Sequence, residues 1–267
     1  MRIADTRKCN LMNLGAVARY LGAPEEVLVG YYRELWEDAA FMTAINGRIK
    51  DARKKGFQKG IFRKPSVPAI DWFAFERVLI YVLIRHLKPK QVLETGVYYG
   101  GNSAFALKAL ARNKAGHMLS IDYPDAEIRQ LGASVERHTL VGDSEFYDTG
   151  LRPGFMTPLD LLDRWTLVEG DSLKVIPERS ERFDFYIHDS DHSMQFLSRE
   201  LAAATPKLTP DALILVDDID WSNAFYAYCV DKRLHPLLLT DNGKDELRVR
   251  TGIVKLDHAR NRDKAFT

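Results

Sequence analysis

Hydrophobic positions change their spacing near residue 88. Between residues 11 and 87, apolar side chains recur every three or four positions, which is typical of amphipathic helices. Three such faces are formed by Leu14, Val17, Ala18 and Leu21, by Leu28, Tyr31, Leu35, Ala39 and Met42, and by Phe75, Val78, Leu79, Val82 and Leu83. Pro24 precedes the second face, and Asp71 is a candidate cap for the third. The pattern predicts three helices ahead of the rest of the chain.

From Lys90 onwards, short apolar runs of strand type alternate with helical runs. The predicted strands are 91–95, 117–121, 166–168, 183–188, 213–216, 236–239 and 250–256, with helical patterns at 104–111, before 175, at 194–204 and at 225–230. Such alternation predicts a doubly wound sheet, and a closing hairpin at Asp241-Asn242-Gly243 predicts an antiparallel finish. We therefore expect an α/β chain with an N-terminal helical extension or lid in residues 1–70 and a sheet domain in residues 71–267.

Composition narrows the possible partners. The 38 Lys and Arg residues balance the 37 Asp and Glu residues. No overall positive potential therefore favours binding to nucleic acid or to an anionic membrane. No apolar run reaches eighteen residues, and the first ten residues do not resemble a signal peptide, so we expect a cytoplasmic protein without a membrane partner. Cys9 and Cys229 match no zinc or redox spacing.

Two segments between the predicted elements have unusual composition. Residues 48–64 carry eight basic side chains and one acid. The segment is either a solvated helix face and loop or a lid that faces an anionic substrate. Residues 123–164 form a long connection that contains Phe146, Tyr147 and Phe155. Because loops of this length in compact domains are mostly functional or disordered, and aromatic residues argue against disorder, we expect this connection to cover a substrate.

A glycine-rich turn follows the first predicted strand. Its glycines let the backbone approach a ligand, and the next helix offers free N–H groups. A dinucleotide fingerprint would need glycine where Tyr98 stands, and no GK[ST] phosphate loop is present. Asp122 lies 122 − 100 = 22 residues beyond Gly100, about the offset at which an acid reaches a ribose. The pattern favours a ligand with a ribose and an amino group but without pyrophosphate.

The turn, ETGVYYGGNS at residues 94–103, resembles the first motif of class I S-adenosylmethionine-dependent methyltransferases. Its form is similar to that of catechol-type and natural-product sugar O-methyltransferases, and the resemblance covers roughly residues 70–256. It implies a Rossmann-like sheet of seven strands, the last antiparallel, with S-adenosylmethionine as cofactor. The residues it implies in cofactor binding are Glu94, Gly96, Gly100, Gly101, Asn102, Ser103, Asp122, Asp171, Ser172 and Asp189.

Within that set, the resemblance gives each part of the cofactor its own contacts. Glu94 and Gly96 would hold the methionine end, Asp122 the ribose hydroxyls, and Asp171 with Ser172 the adenine. Purely structural roles are the alternatives: a tight turn for the glycines, a strand-end cap for Asp122 and a helix N-cap for Asp171.

Two further strands end abruptly in carboxylates. Asp189 and Asp191 follow the strand at 183–188, and Asp217, Asp218 and Asp220 follow the strand at 213–216. If these strands are parallel neighbours, the acids meet at one edge of the sheet and require a cation or a shared proton. In the metal-dependent O-methyltransferases that the chain resembles, Asp189, Asp217 and Asp218 would bind a divalent ion. Oxygen ligands favour Mg²⁺.

The resemblance also implies the catalytic base. The D-x-D-H pattern at 189–192 is similar to that of the sugar subgroup, in which Asp191 would remove the proton of the accepting hydroxyl. His192 is the competitor, because its unperturbed pKa suits the task better. A helix N-cap for Asp191 and a helix-start packing residue for His192 are the structural alternatives.

The functional hypothesis is a divalent-metal-assisted O-methyltransferase that acts on a hydroxyl of a sugar or another polar small molecule, as a homo-oligomer. One alternative is a haloacid-dehalogenase-like phosphatase with Asp189 as nucleophile and Asp191 as general acid and base. It would need a phosphate-clamping lysine, for which Lys207 is the candidate. The other alternative is a non-catalytic S-adenosylmethionine-binding protein.

Overall fold

The computed structural model describes residues 3–56, 75–123, 151–242 and 247–256. Four sequence features lie outside the described residues: the candidate cap Asp71, the second half of the basic segment (residues 57–64), the greater part of the long connection (residues 124–150), and Gly243 of the predicted hairpin. Within the described part, no helix combines the length and the apolar character that a membrane span needs.

Among the described residues, four helices precede the sheet: α1 (Ile3–Leu21), α2 (Glu25–Trp36), α3 (Ala39–Lys54) and α4 (Phe75–Leu87). The apolar face predicted to run from Leu28 to Met42 is divided between α2 and α3, so the single helix expected there is wrong. The division has a local cause, because the Asp38 side chain accepts a hydrogen bond from the Phe41 N–H at 2.8 Å and so begins a new helix.

The sheet has seven strands in the order β3-β2-β1-β4-β5-β7-β6. They are β1 (Gln91–Thr95), β2 (His117–Asp122), β3 (Trp165–Glu169), β4 (Phe183–His188), β5 (Leu208–Val216), β6 (Leu237–Asn242) and β7 (Leu247–Lys255). The first five strands pair in parallel, and β7 runs antiparallel to both β5 and β6. The predicted doubly wound sheet with an antiparallel finish is therefore confirmed.

Helices cover both faces of this sheet. After α4, the described part of the chain contains the helices α5 (Gly101–Asn113), α6 (Ser172–Glu178), α7 (Met194–Ala204) and α8 (Ala224–Asp231), with 3₁₀ turns at Leu159–Arg164 and Thr205–Lys207. One apolar core joins α1 to α5 with the sheet, and a second core joins α6, α7 and α8 with the opposite face. The central strands are consequently buried on both sides, which explains their continuous apolar sequences.

Polar contacts fasten the N-terminal helices to the sheet domain. Asp38 pairs with Lys108 of α5 at 2.8 Å, and Glu34 of α2 pairs with Arg85 of α4 at 2.8 Å. At the other end of the sheet, Asn13 of α1 donates to the Thr240 carbonyl of β6 at 2.8 Å. The division of the chain into domains at residue 70 remains a prediction.

The register brings the carboxyl ends of the central strands level. Thr95 at the end of β1 is opposite Ile121 of β2 and His188 of β4, and His188 is opposite Val216 of β5. Residues that follow these strands therefore emerge at the same edge, where open α/β sheets bind their ligands.

Candidate active site

The turn after β1 is packed so closely that two of its residues have to be glycine. A Cβ on Gly96, whose φ is +80°, would lie 1.9 Å from the Asp189 carbonyl oxygen. A Cβ on Gly100, whose φ is +87°, would lie 2.7 Å from the Cα of Gly154. Gly96 thus lets the end of β4 approach the end of β1, and that approach places Asp189 beside the turn.

Glu94, the last acid of β1, has one occupied and one unoccupied carboxylate oxygen. Its Oε2 accepts hydrogen bonds from Ser103 at 2.7 Å and from Ser120 at 2.5 Å. Its Oε1 is buried without a hydrogen-bond partner among the described residues. Burial raises the pKa of Glu94 to about 7. An unsatisfied carboxylate oxygen beside a glycine turn suits a ligand that brings an ammonium group.

Three residues predicted to contact the nucleoside have structural partners. Asp122 Oδ2 accepts from the backbone N–H groups of Val97 at 3.3 Å and Tyr98 at 2.9 Å. Asp171 accepts from the Leu173 N–H at 3.0 Å and caps α6, while the Ser172 hydroxyl donates to Glu200. These contacts match the capping alternatives, and the ribose and adenine roles stay predictions.

Carboxylates from three separate elements meet at the edge of the sheet. Oxygen atoms of Asp189 after β4, Asp217 after β5 and Glu76 in the first turn of α4 all lie within 4.8 Å of one another. Asn102 Nδ2 at the start of α5 donates to Asp189 Oδ2 at 2.9 Å and also to Glu76. The predicted convergence of Asp189 and Asp217 is present, and such an all-oxygen donor set fits a hard divalent cation.

Glu76 was missed by the sequence reasoning. It lies in the run FERVLIYVLIRHL, where the helical pattern drew attention to the apolar positions and not to the acid beside them. The one signal was an adjacent pair of opposite charges, Glu76 and Arg77, at the start of an otherwise largely apolar helix. Because α4 leads directly into β1 and runs back along the sheet, its first turn reaches the ligand-binding edge.

Asp218 has a different environment from the other two predicted metal ligands. Its Oδ1 accepts from Arg250 Nε at 2.7 Å and from Arg250 Nη2, so it forms an ion pair with β7. Its backbone has a φ of +47°, in the left-handed region. Asp218 is not among the carboxylates that meet within 4.8 Å.

Crowding shifts the ionisation of the converging acids. Removal from water, and next the charge of Asp189, raises the pKa of Glu76 to about 7. Burial, followed by repulsion from neighbouring carboxylates, raises the pKa of Asp189 and of Asp217 well above the usual range. Glu76 and Asp217 hydrogen-bond each other, which requires a proton between the two carboxyl groups. Without a cation, the cluster is therefore partly protonated.

The two candidate bases lie beside this cluster. Asp191 Oδ1 accepts from the Ser193 N–H at 2.8 Å, and Ser193 rather than Asp191 caps α7. His192 Nε2 lies 3.7 Å from Asp189 Oδ1, and its ring centroid is 5.8 Å from that of Trp221. Burial, and next the charge of His188, lowers the pKa of His192 to about 4, so the imidazole is neutral near pH 7.

A buried carboxylate behind the cluster holds the loop that carries these bases. Glu200 of α7 is fully buried and accepts from Thr95 Oγ1 at 2.9 Å, Tyr186 OH at 3.0 Å and Ser190 Oγ at 2.9 Å. It also pairs with His188 Nδ1 at 2.5 Å. The loop between β4 and α7 is thereby fixed to the ends of β1 and β4. No sequence motif indicated this role for Glu200.

The family comparison and the structural comparison agree. Residues 93–219 match the family model described as a methyltransferase domain. A search of curated protein sequences finds no match to the chain. A crystal structure from Klebsiella pneumoniae, provisionally assigned as an O-methyltransferase, is 16% identical with a TM-score of 0.52 over 79% of this chain and 89% of that chain.

An O-methyltransferase from Bacillus cereus, solved in complex with SAH (S-adenosylhomocysteine), is 15% identical with a TM-score of 0.51 over 80% of this chain and 90% of that chain. At these identities the two structures establish a shared fold, whereas the family model covers the turn after β1 and the ends of β4 and β5. Residues 93–219 thus form a domain of the methyltransferase family, on a fold that the chain shares with these two O-methyltransferase structures.

Proposed function

We propose that the protein is an S-adenosylmethionine-dependent, divalent-metal-assisted O-methyltransferase that acts on a hydroxyl of a sugar or another polar small molecule. One observation carries the proposal. The glycine turn after β1 and the carboxylates after β4 and β5 converge at the same edge of the sheet, joined by the approach of Gly96 to Asp189. A methyl donor on the turn and an acceptor beside the acids would therefore be neighbours.

The cofactor would lie across the turn after β1. The unsatisfied Glu94 Oε1 would accept from the ammonium of the methionine end, and the turn formed by Gly96, Gly100 and Gly101 would lie against the cofactor. The remaining proposed contacts are Asn102 and Ser103 at the start of α5, Asp122, Asp171, Ser172 and Asp189. The S-adenosylhomocysteine bound to the Bacillus cereus relative supports this choice of cofactor.

Asp189 and Asp217 would hold the divalent cation, with Mg²⁺ as the first choice. When bound, such an ion acidifies and orients a substrate hydroxyl. The rest of the site belongs to the chain's own residues. Trp221, which is 56% exposed, offers a flat surface beside His192 against which an acceptor ring can pack. S-adenosylmethionine, when bound, would supply the methyl group that the acceptor hydroxyl takes up.

Proton removal would be performed by His192 or Asp191. His192 Nδ1 is buried without a hydrogen-bond partner among the described residues, and its imidazole is neutral near pH 7, so it can accept a proton. Asp191 uses Oδ1 to accept from Ser193, which leaves its second oxygen for the acceptor. We propose both residues as candidates for the base.

No described contact favours the phosphatase alternative. Lys207, its candidate for a phosphate clamp, immediately precedes β5 and so lies at the opposite end of that strand from Asp217. Its Nζ donates to the Arg179 carbonyl at 2.6 Å. A lysine at the amino end of β5 cannot reach a substrate at Asp189. We further propose a cytoplasmic location and a homo-oligomer.

The proposed function is tested by calorimetric titration with S-adenosylmethionine, with and without Mg²⁺ or EDTA, followed by a screen of hydroxyl acceptors. We expect the protein to bind the cofactor and to transfer its methyl group. EDTA should abolish methyl transfer, and Asp217→Asn should reduce its rate by at least about a hundredfold. Cofactor binding without transfer to any acceptor would indicate a binding protein. Full activity of Asp217→Asn in the presence of EDTA would remove the metal from the mechanism.

A further inference from the structure

We propose that Glu76 of α4 is the third carboxylate ligand of the divalent cation, in place of Asp218. The inference rests on the metal assistance in the proposed function and changes which residues supply it. Two ligands would then follow strands of the sheet, as the sequence predicts, and the third would come from a helix that precedes the sheet in the chain.

Geometry separates Glu76 from Asp218. Oxygen atoms of Glu76, Asp189 and Asp217 all lie within 4.8 Å of one another, so a single ion at their centre can contact all three. Asn102 Nδ2 donates to both Glu76 and Asp189, which turns these two carboxylates towards each other. Glu76 is thus held in place by a partner that also holds an expected ligand.

Charge supplies an independent reason. Ionised Glu76, Asp189 and Asp217 carry three negative charges, and Arg77, which interacts electrostatically with Glu76 and Asp189, supplies one positive charge. The sum is −3 + 1 = −2, the charge that one divalent cation neutralises. Asp218 and Arg250 form an ion pair, and that pair as a whole adds no net charge to this sum.

Asp218 is already engaged in an ion pair, with which a metal ion would have to compete. Both contacts from Arg250 go to Asp218 Oδ1, so the guanidinium and the metal would draw on the same carboxylate. The Asp218 backbone also has a φ of +47°, a conformation fixed in part by the hydrogen bond from the Ile219 N–H to the Arg250 carbonyl at 2.9 Å. The Glu76 carboxylate, by contrast, already contacts Asp217, which is one of the other two proposed ligands.

The test measures metal binding directly and does not depend on turnover. The EDTA-treated full-length protein is titrated with Mn²⁺, used as a probe for Mg²⁺, by electron paramagnetic resonance and calorimetry. Four variants are compared: Glu76→Gln, Glu76→Asp, Asp218→Asn and, as a matched control, Asp211→Asn at the exposed opposite end of β5. Thermal unfolding of each metal-free variant shows that it is folded.

We expect Glu76→Gln to weaken Mn²⁺ binding at least tenfold and Glu76→Asp to weaken it less, because a shorter carboxylate remains. Asp218→Asn and Asp211→Asn are expected to change the affinity by less than threefold. The metal-free Glu76→Gln protein should unfold at the same or a higher temperature than the wild type, since the variant relieves repulsion. A loss of affinity caused by damaged folding would instead lower that temperature.

Two results would overturn the inference. If Glu76→Gln binds Mn²⁺ like the wild type while Asp218→Asn does not, the ligand set is the one expected from the sequence. If the wild type binds S-adenosylmethionine but no Mn²⁺ at millimolar concentration, Glu76 is not a ligand and metal assistance fails with it. Failure to bind S-adenosylmethionine would contradict the proposed function itself, so the separate titrations distinguish these failures.

Discussion

Gly96 shows how one residue can determine the distance between two strand ends. A Cβ at this position would overlap the Asp189 carbonyl oxygen at 1.9 Å, and the φ of +80° disfavours any L side chain. We expect Gly96→Ala to destabilise the protein by at least about 3 kcal/mol, because both the backbone strain and the overlap must be relieved. Urea unfolding measures this change, and displacement of Asp189 should also weaken Mn²⁺ binding.

Gly30 provides the matched control. It lies on the exposed side of α2, and no atom approaches its hypothetical Cβ within 4 Å. Gly30→Ala should therefore leave stability unchanged or raise it by up to about 1 kcal/mol, since alanine favours the helix. If Gly96→Ala changed the free energy of unfolding as little as Gly30→Ala, the close approach of β1 and β4 would not require glycine at position 96.

The raised pKa of Glu94 predicts a pH-dependent cofactor affinity. Burial raises it to about 7 in the free protein, so below that pH the carboxyl is protonated and has to lose its proton to pair with an ammonium. The affinity for S-adenosylmethionine should therefore rise by about tenfold from pH 5.5 to pH 7, with proton release on binding. Calorimetry in two buffers of different ionisation enthalpy measures both quantities.

Glu94→Gln separates this effect from other titrations. The amide cannot ionise, so the variant should bind more weakly at pH 7 and lose most of the pH dependence. An equally steep profile in Glu94→Gln would assign the titration to another group.

Local sequence revealed the residues whose roles depend on neighbours in the chain. The turn at 94–103 and the acids that end β4 and β5 were found because a strand and the residue after it are adjacent in sequence. The position of Glu76 depends on where α4 packs, and the ion pair of Asp218 depends on Arg250 of β7. Such contacts between distant segments leave no local pattern, so neither was predicted.

At the scale of elements, the junction between α2 and α3 depends on Asp38. Burial alone would raise its pKa, but hydrogen bonds from Lys108 and Arg112 and from the Phe41 N–H outweigh burial and lower it to about 2. The folded pKa is thus below the ordinary 3.8, so this contribution to stability is complete above about pH 5 and is lost as the pH falls towards 2.

We expect Asp38→Asn to reduce the free energy of unfolding by about 2 kcal/mol at pH 7, because asparagine keeps the cap and loses both ion pairs. The difference from the wild type should shrink between pH 5 and pH 2 in urea titrations. Asp51→Asn, which removes an exposed pair with Lys54, should cost less than about 0.5 kcal/mol. A difference for Asp38→Asn that does not depend on pH would contradict the ion-pair explanation.

Helices and strands were predicted where apolar residues recur at a regular spacing. The bounds of β1, β4 and α7 were predicted to the residue. The start of β5 was placed at 213 instead of Leu208, because Thr209, Pro210 and Asp211 do not resemble a strand. The cap at Asp38 was missed because the apolar face continues across it.

At the scale of the whole molecule, alternating strands and helices predicted the sheet, whereas the attachment of the first helices could not be predicted. An amphipathic face shows that a helix packs, but it does not show against what. In the structure, α1, α2 and α3 share one apolar core with α4, α5 and the sheet. Leu14 and Leu28 are fully buried in that core.

This shared core predicts that the N-terminal helices and the sheet unfold together. Leu28→Ala should lower the free energy of unfolding by about 2–5 kcal/mol, whereas Val27→Ala, at a position that is 36% exposed in the same helix, should lower it far less. In hydrogen exchange, Leu28→Ala should reduce the protection of the slowest amides of β4 and β5 by the same free energy as those of α2. If protection were lost in α1 to α3 alone, these helices would be a separate unit, as expected for a lid.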